Sequence, residues 1–270
     1  MRKVVLSGRA FNHFPAARYA VDVTFQQANM PSGSQQEIAS YYSAKHKLHG
    51  YKTEVSVIPT ELAMNCSRHF KGCTADITIF RKNEDFHVAA VVKNPSDEDL
   101  NDDDPLRDEY PGSWAILADK GYQGLADSMQ TIIPKRRRPS TPLTPQEEDD
   151  NGDIASDRVV VENYFGRLCT LWSLCSDKFR WQEKNYELFF RACVALTSCH
   201  VRAHPLREAD GENYKDYLRR MFAIGREKHE RRLEFNRRAR ERRRRRIIAS
   251  RQAAGNSDDS DSSTQYSQAY

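Results

Sequence analysis

No stretch of the sequence comes near the roughly twenty consecutive apolar residues that a membrane-spanning helix needs. The N-terminus likewise lacks the continuous apolar segment of a secretory leader. A membrane or secreted protein is not expected, and the chain is assigned to the interior of a cell. Cysteine is present but badly placed for metal or disulfide work. The six residues, at 66, 73, 169, 175, 193 and 199, include no close pair with His or Cys partners arranged as a finger. They are expected to be reduced and mostly buried. Tryptophan is scarce, and Trp114, Trp172 and Trp181 are expected in or beside the core.

What the chain does have is charge, unevenly distributed. Its 270 residues can enclose one substantial core, and 30% of them are charged against 39% hydrophobic. The net +4 conceals two opposed blocks. Eight acidic residues and a single Arg107 lie between Asp97 and Glu109, whereas fourteen Arg or Lys stand against four Glu between Arg219 and Arg246. A basic block of this size points to a polyanionic partner. Beyond Gly255 the chain is rich in Ser, Asp, Gln and Asn, a composition that buries too little apolar area to order itself.

Apolar patterning predicts strands at Arg18–Phe25, Lys52–Ile58, Leu62–Ser67, Trp114–Leu117 and Thr131–Ile133. Short helices are predicted over 74–82 and 125–129, a surface loop over 97–110, and a loop or linker over 135–156. Ser156 or Asp157 then suits the N-cap of a helix reaching about Leu174, with Val161, Phe165 (or Tyr164), Leu168 and Trp172 on its apolar face. A second helix over 185–201 is predicted, with Leu188, Cys193, Leu196 and Cys199 among its apolar positions. The basic segment 219–249 is read as a helix, only partly ordered until a partner screens its charge. Strands with intervening helices, then long helices, make an α/β layer architecture.

Three carboxylates stand out within this pattern. Asp22 sits mid-strand between Val21 and Val23, so its side chain lies on the face opposite both. Either that face is solvated or a cation holds it. Asp119 ends the most apolar strand and precedes Lys120-Gly121-Tyr122, the strand end where α/β proteins place functional groups; simple capping of the turn is the alternative. Glu162 follows Arg158 and precedes Gly166 at four-residue intervals, one stripe down a helix. An ordinary Arg–Glu surface pair would explain the first two. The Gly is understandable if another backbone or a ligand comes close, since in a helix it costs about 1 kcal/mol against Ala. Three such carboxylates brought together repel unless a hard divalent cation neutralises them.

The blocks around these residues resemble the DDE superfamily endonuclease domain of PIF/Harbinger-type transposases. Val21-Asp22-Val23-Thr24 is similar to the strand of the first Asp, and Leu117-Ala118-Asp119-Lys120-Gly121-Tyr122-Gln123-Gly124 to the second. Arg158 to Leu168 resembles the helix of the Glu. Two further blocks, Tyr41 to Lys47 with Lys52-Thr53 after it, and Val194 to His200, extend the similarity over about 17–208. The resemblance implies an RNase H-like mixed sheet flanked by helices, in which Asp22, Asp119 and Glu162 hold Mg²⁺ or Mn²⁺, two ions in all, for strand nicking and transfer. It implies DNA as partner, a nuclear location, and a homo-oligomer as one possible state.

Two departures qualify the resemblance. Cys73-Thr74-Ala75-Asp76 keeps an Asp but has Ala75 where relatives commonly have His, so Asp76 reads as an auxiliary metal carboxylate or a helix cap. Residues 1–16 form only a stub where relatives carry a helix-turn-helix-like region. The alternatives this leaves are a truncated copy, an incomplete gene product, or a protein that binds DNA through a separate partner protein or through the tail at 209–254, with 255–270 expected as a disordered terminus. Beside the motif residues Arg158 and Arg167, the expected phosphate contacts are Lys45, Lys47 and Lys52, then Lys135, Arg136, Arg137 and Arg138, and the run Arg242, Arg243, Arg244, Arg245, Arg246. That last run also suits nuclear import. His46, His49 and His200 are left as structural or DNA-facing. A domesticated, inactive scaffold is the alternative reading of the whole chain.

Overall fold

The computed structural model describes residues 1–97, 99–137 and 142–255, the last five of these without their side chains. The β-branched and aromatic run predicted as the first strand is the middle of a longer one, β1 (Ala17–Gln27). It pairs antiparallel with β3 (Leu48–Val57) on one side and parallel with β6 (Ala115–Leu117) on the other. The sheet runs β2 (Tyr42–Ser43), β3, β1, β6, β7 (Thr131–Ile132), with β4 (Ala63–Cys66) and β5 (Phe70–Lys71) also on β3. It is a mixed sheet of seven strands flanked by helices, an α/β architecture consistent with the RNase H-like fold.

Alternation along β1 splits the core in two. Tyr19, Val21 and Val23 face one side, together with Ile116 and Ala118 of the β6 segment. There they pack on Phe80 of α3 (Asp76–Lys82), on Ala90 and Val91 of α4 (Glu84–Val91), and on Tyr122, Leu125 and Met129. Ala20, Asp22 and Thr24 alternate to the other side, where α5 (Pro145–Leu171) lies. Val161, Tyr164, Phe165 and Leu168 of α5 are all buried, each worth about 1.5–3 kcal/mol of transfer free energy for an aliphatic or Phe side chain.

Register ties β1 to β6. A bulge between Ala17 and Tyr19 inserts one residue into β1, after which Tyr19 stands opposite Ile116 and Ala20 opposite Leu117. Two residues further along each chain come Asp22 and Asp119.

Several expectations need correction. The segment 135–156 is not a linker throughout, because α5 begins at Pro145. Thr144 closes a capping box there: its hydroxyl accepts from Glu147 N at 3.2 Å, and Glu147 Oε2 accepts from Thr144 N at 2.9 Å. Its first turns carry no apolar period because no residue before Ile154 in them is buried. Asp157 is no cap; its carboxylate accepts backbone N–H groups from Asn12, His13 and Phe14 at 3.1, 2.9 and 3.0 Å. The helix ends at Trp172, whose backbone is extended, and α6 (Ser173–Ser176) follows.

Helix α7 (Tyr186–Ala203) buries Tyr186, Phe190, Cys193, Val194, Thr197 and Val201. Of the apolar positions noted on this helix, Cys193 is buried, whereas Leu188 and Leu196 are 69% and 51% exposed and Cys199 is exposed too. Trp181 is also exposed, unlike Trp114. Residues 125–129 form turns, and α1 (Arg2–Leu6), α2 (Gln35–Ser40) and α4 were not anticipated. The acidic loop is not wholly superficial. Asp97 is buried, accepting from Arg2 N at 3.1 Å and from Trp114 Nε1 at 3.4 Å.

The chain divides into two units, Met1–Phe222 and the part from Ala223 on, and α8 (Glu208–Gly255) runs through both. In the first unit Tyr214, Tyr217 and Met221 of α8 are buried, and Tyr217 Oη donates to Phe25 O at 2.8 Å. The basic helix therefore starts well before residue 219 and contributes to the core. Within the second unit, residues such as Leu233 and Phe235 are exposed, and Arg231 and Arg238 pair with Glu227 and Glu234 one turn earlier.

Candidate active site

The register described above places the first two carboxylates side by side. Ala20 and Leu117 are opposed in a parallel ladder, and the two-residue period carries the next side chains, Asp22 and Asp119, to the same face. Facing them from α5 is Arg158, 6% exposed. Its Nη2 donates to Asp22 Oδ2 at 3.4 Å and its Nη1 to Asp119 Oδ1 at 3.5 Å. One guanidinium thus spans two carboxylates contributed by neighbouring strands. Of the alternatives open for Asp22, the paired state is the one observed.

A third carboxylate borders this pair. Lys52 of β3 donates to Asp76 Oδ1 at 2.9 Å and to Thr74 O at 2.8 Å, fixing Asp76 at the start of α3. Gly121 approaches it closely: a Cβ there would lie 3.2 Å from Asp76 Oδ2. The missing side chain lets the Asp119 turn lie against Asp76. Burial pushes the Asp22 carboxyl up to about 6; Arg158 pulls it down, Asp119 and Asp76 push it further up, and the Val23 N–H it accepts opposes them. Arg158 thus offsets only part of the cost of burying this carboxylate beside two others.

Glu162 lies one turn beyond Arg158 on α5 and is half-buried. Its carboxylate acts on Lys215 of α8, whose ammonium is stabilised first by Glu212 and more weakly by Glu162. Among the described residues, no three His, Cys, Asp or Glu side chains stand together as a metal-holding group. The structure joins Asp22, Asp119 and Arg158 directly, and Glu162 stands one turn from Arg158 on the same helix. The donor set still fits a hard divalent cation: all the candidate ligands are carboxylates, and burial beside Asp119 and Asp76 disfavours the charged form of Asp22, a cost such an ion would offset.

Beneath the site lies a buried polar network that the sequence reading passed over. Glu54 of β3 takes His87 Nε2 at 2.9 Å, Asn83 Nδ2 at 3.0 Å and Tyr122 Oη at 3.4 Å, while Tyr19 Oη and His87 Nδ1 are 2.7 Å apart. It ties the turn after Asp119 to α3, α4 and β3. The signal was available, because Glu54 is an acid inside a predicted strand, as Asp22 is.

The expected phosphate ligands fall into three settings. Lys45 and Lys47 are exposed between β2 and β3, and Lys52 is committed to Asp76. Lys135, Arg136 and Arg137 line a cavity of about 720 Å³ that begins at Gln123, close after Asp119 in the chain, and Lys135 also pairs with Glu147 at 3.3 Å. Arg138 lies outside the described residues. Arg158 and Arg167 are both buried and turned inward, so neither offers a free guanidinium. Arg242 to Arg246 are exposed along the second unit of α8. His46 is structural, stacked between Phe25 and Phe222 with ring centroids 4.3 and 5.1 Å away.

A seven-stranded mixed sheet with carboxylates from adjacent parallel strands facing one arginine on a packed helix defines an α/β protein with an acidic cluster. The family model described as DDE superfamily endonuclease matches residues 21–198, a span that contains Asp22, Asp119 and Glu162. No curated protein and no solved structure matches the chain. The chain belongs to the DDE superfamily endonuclease family.

Proposed function

We propose that the protein is a divalent-metal-dependent DNA endonuclease and strand transferase of a cut-and-paste element, of the PIF/Harbinger type. Asp22, Asp119 and Glu162 hold Mg²⁺ or Mn²⁺, two ions in all, with Asp76 auxiliary. The observation that carries this reading is the convergence of Asp22 and Asp119 on Arg158, from parallel neighbouring strands, against the helix that bears Glu162. The chemistry such ions supply is Lewis-acid stabilisation of charge at the scissile phosphate. The chain's own groups bind and orient. The exposed Lys45 and Lys47, and the cavity lined by Lys135, Arg136 and Arg137, suit contacts to the phosphate backbone. Arg138 and the Arg242–Arg246 run are proposed as further phosphate contacts on the strength of their charge. A nuclear location, a homo-oligomeric state and a separate DNA-binding partner complete the proposal.

A second reading, a domesticated scaffold that kept the fold and lost cleavage, draws on Ala75 and on the lack of a three-ligand group among the described residues. One assay separates them. Plasmid DNA bearing the element's own terminal sequence is incubated with Mg²⁺ or Mn²⁺ and the full chain, beside Glu162→Gln. Metal-dependent nicking that Glu162→Gln abolishes supports the nuclease. DNA binding with no nicking under either ion supports the scaffold.

A further inference from the structure

Helix α5 carries two arginines that are equally buried and held in opposite ways. Arg167 is saturated: Nε and Nη2 reach Asp210 at 3.0 and 2.7 Å, Nη1 meets His200 Nδ1 at 3.1 Å and His204 O at 2.8 Å, and Nη2 meets Pro205 O at 3.0 Å. Arg158, nine residues earlier, makes two hydrogen bonds among the described residues, at 3.4 and 3.5 Å, one to each catalytic carboxylate. Its Nε is buried with no hydrogen-bond partner among the described residues. Well-formed pairs between a guanidinium and a carboxylate close to about 2.7–2.9 Å. Arg158 is a buried cation held only loosely, and both of its anchors are carboxylates assigned above to the metal.

We propose that Arg158 is a displaceable counter-ion: in the metal-free chain its guanidinium bridges Asp22 and Asp119, and a divalent cation takes those carboxylates only as the arginine withdraws. The inference rests on the metal-binding reading of Asp22 and Asp119 and adds the residue that opposes loading. The physical basis is competition for the same oxygens. A buried carboxylate pair needs compensating charge in either state, and Arg158 supplies it before the ion does. The ion carries twice the charge at a shorter approach of about 2.0–2.1 Å for Mg²⁺, so it wins the competition, but with an affinity reduced by what the arginine contributes. Arg167, with no contact to either carboxylate, has no part in the exchange.

The test is Mn²⁺ binding to the full chain without DNA, read by calorimetry and by loss of the free-ion electron paramagnetic resonance signal. Arg158→Gln is expected to bind Mn²⁺ at least about tenfold more tightly than the unmodified chain, because one competing charge is gone. Arg158→Lys keeps the charge but cannot bridge two carboxylates with a planar fork, and is expected to fall between. In thermal unfolding, saturating Mn²⁺ should raise the Tm of Arg158→Gln more than that of the unmodified chain. Equal or weaker binding by Arg158→Gln overturns the inference, because the arginine would then be organising the ligands. If Arg158→Gln does not fold without metal, Arg158→Lys decides: affinity no tighter than the unmodified chain overturns it. Asp119→Asn separates the two failures. Binding that survives Asp119→Asn, or Mn²⁺ binding by none of the variants, overturns the metal site and the counter-ion together.

Discussion

Two glycines of α5 are expected to respond to alanine with opposite signs, and the difference follows from what lies beside them. Gly152 faces open space, with nothing within 4 Å of an added Cβ. There Gly152→Ala should gain the helix-propensity difference, up to about 1 kcal/mol. Gly166 faces the start of α8: an added Cβ would stand 3.2 Å from Asp210 Cα and deep inside the radius of its carbonyl oxygen. The obstacle is backbone and cannot rotate away. Overpacking of this kind costs about 1–3 kcal/mol. Moving Asp210 also disturbs the carboxylate that holds Arg167 and accepts Arg207 N at 2.8 Å. Breaking a buried ion pair outright costs about 3–5 kcal/mol. Part of that loss, added to the overpacking and offset by the propensity gain, leaves Gly166→Ala less stable by about 2–4 kcal/mol. Urea unfolding followed by far-ultraviolet circular dichroism measures both variants on the full chain. At 2–4 °C for each kcal/mol, Gly166→Ala should also melt roughly 5–15 °C lower. A Gly166→Ala protein as stable as its parent would refute the close packing of α5 against α8.

Three further outcomes are expected. Asp119→Asn should abolish metal-dependent nicking without lowering the melting temperature in EDTA, since it removes one of two repelling carboxylates at constant size; nicking at the unmodified rate would remove Asp119 from the site. Because burial raises the folded-state pKa of Asp22 from 3.8 to about 6, the folded state binds the extra proton and the metal-free protein should lose stability as pH rises across that window. A flatter profile in Asp22→Asn confirms the origin, and an unchanged one rules Asp22 out. Removing residues 223–270 takes away an excess of nine positive charges between Ala223 and Gly255 while sparing Tyr214, Tyr217 and Met221. DNA affinity should fall and its log–log salt slope flatten by roughly 0.9 per lost phosphate contact, with cleavage retained at low salt and saturating DNA. Identical slopes would reassign the run to transport or protein recognition.

How much of this was legible in the sequence depended on whether local pattern and tertiary burial agreed. They agreed along β1 and β6, where apolar runs meet a sheet buried on both faces, and along the second half of α5, where a 3.6-residue period meets the core. They disagreed wherever polar sequence is helical for local reasons. The Thr144–Glu147 capping box starts α5 in a stretch with no apolar face, so periodicity alone saw a linker. On α7 apolar residue type does not mark the buried face: the large aliphatics Leu188 and Leu196 are exposed, and the buried face is built from aromatics, Val, Cys and Thr. The positions of Asp22 and Asp119 were readable because each lies in or at the end of an apolar strand. The placement of Arg158 between them was not, because it depends on how α5 docks across strands more than thirty residues away in sequence.

The bulge between Ala17 and Tyr19 has an evolutionary consequence. Asp22 and Asp119 share a face only because each lies two residues past an opposed pair, so their juxtaposition is a matter of parity. A single inserted or deleted residue between Tyr19 and Asp22, or between Ile116 and Asp119, would send one carboxylate into the Phe80–Tyr122 core and leave the other facing Arg158. Length variation is therefore forbidden over those few residues and permissible in the acidic loop before Ser113, where no strand register is counted. Homologous chains should differ in the size of that loop and keep the spacing on either side of each Asp, so the pattern of gaps among them would by itself mark which strands carry the chemistry.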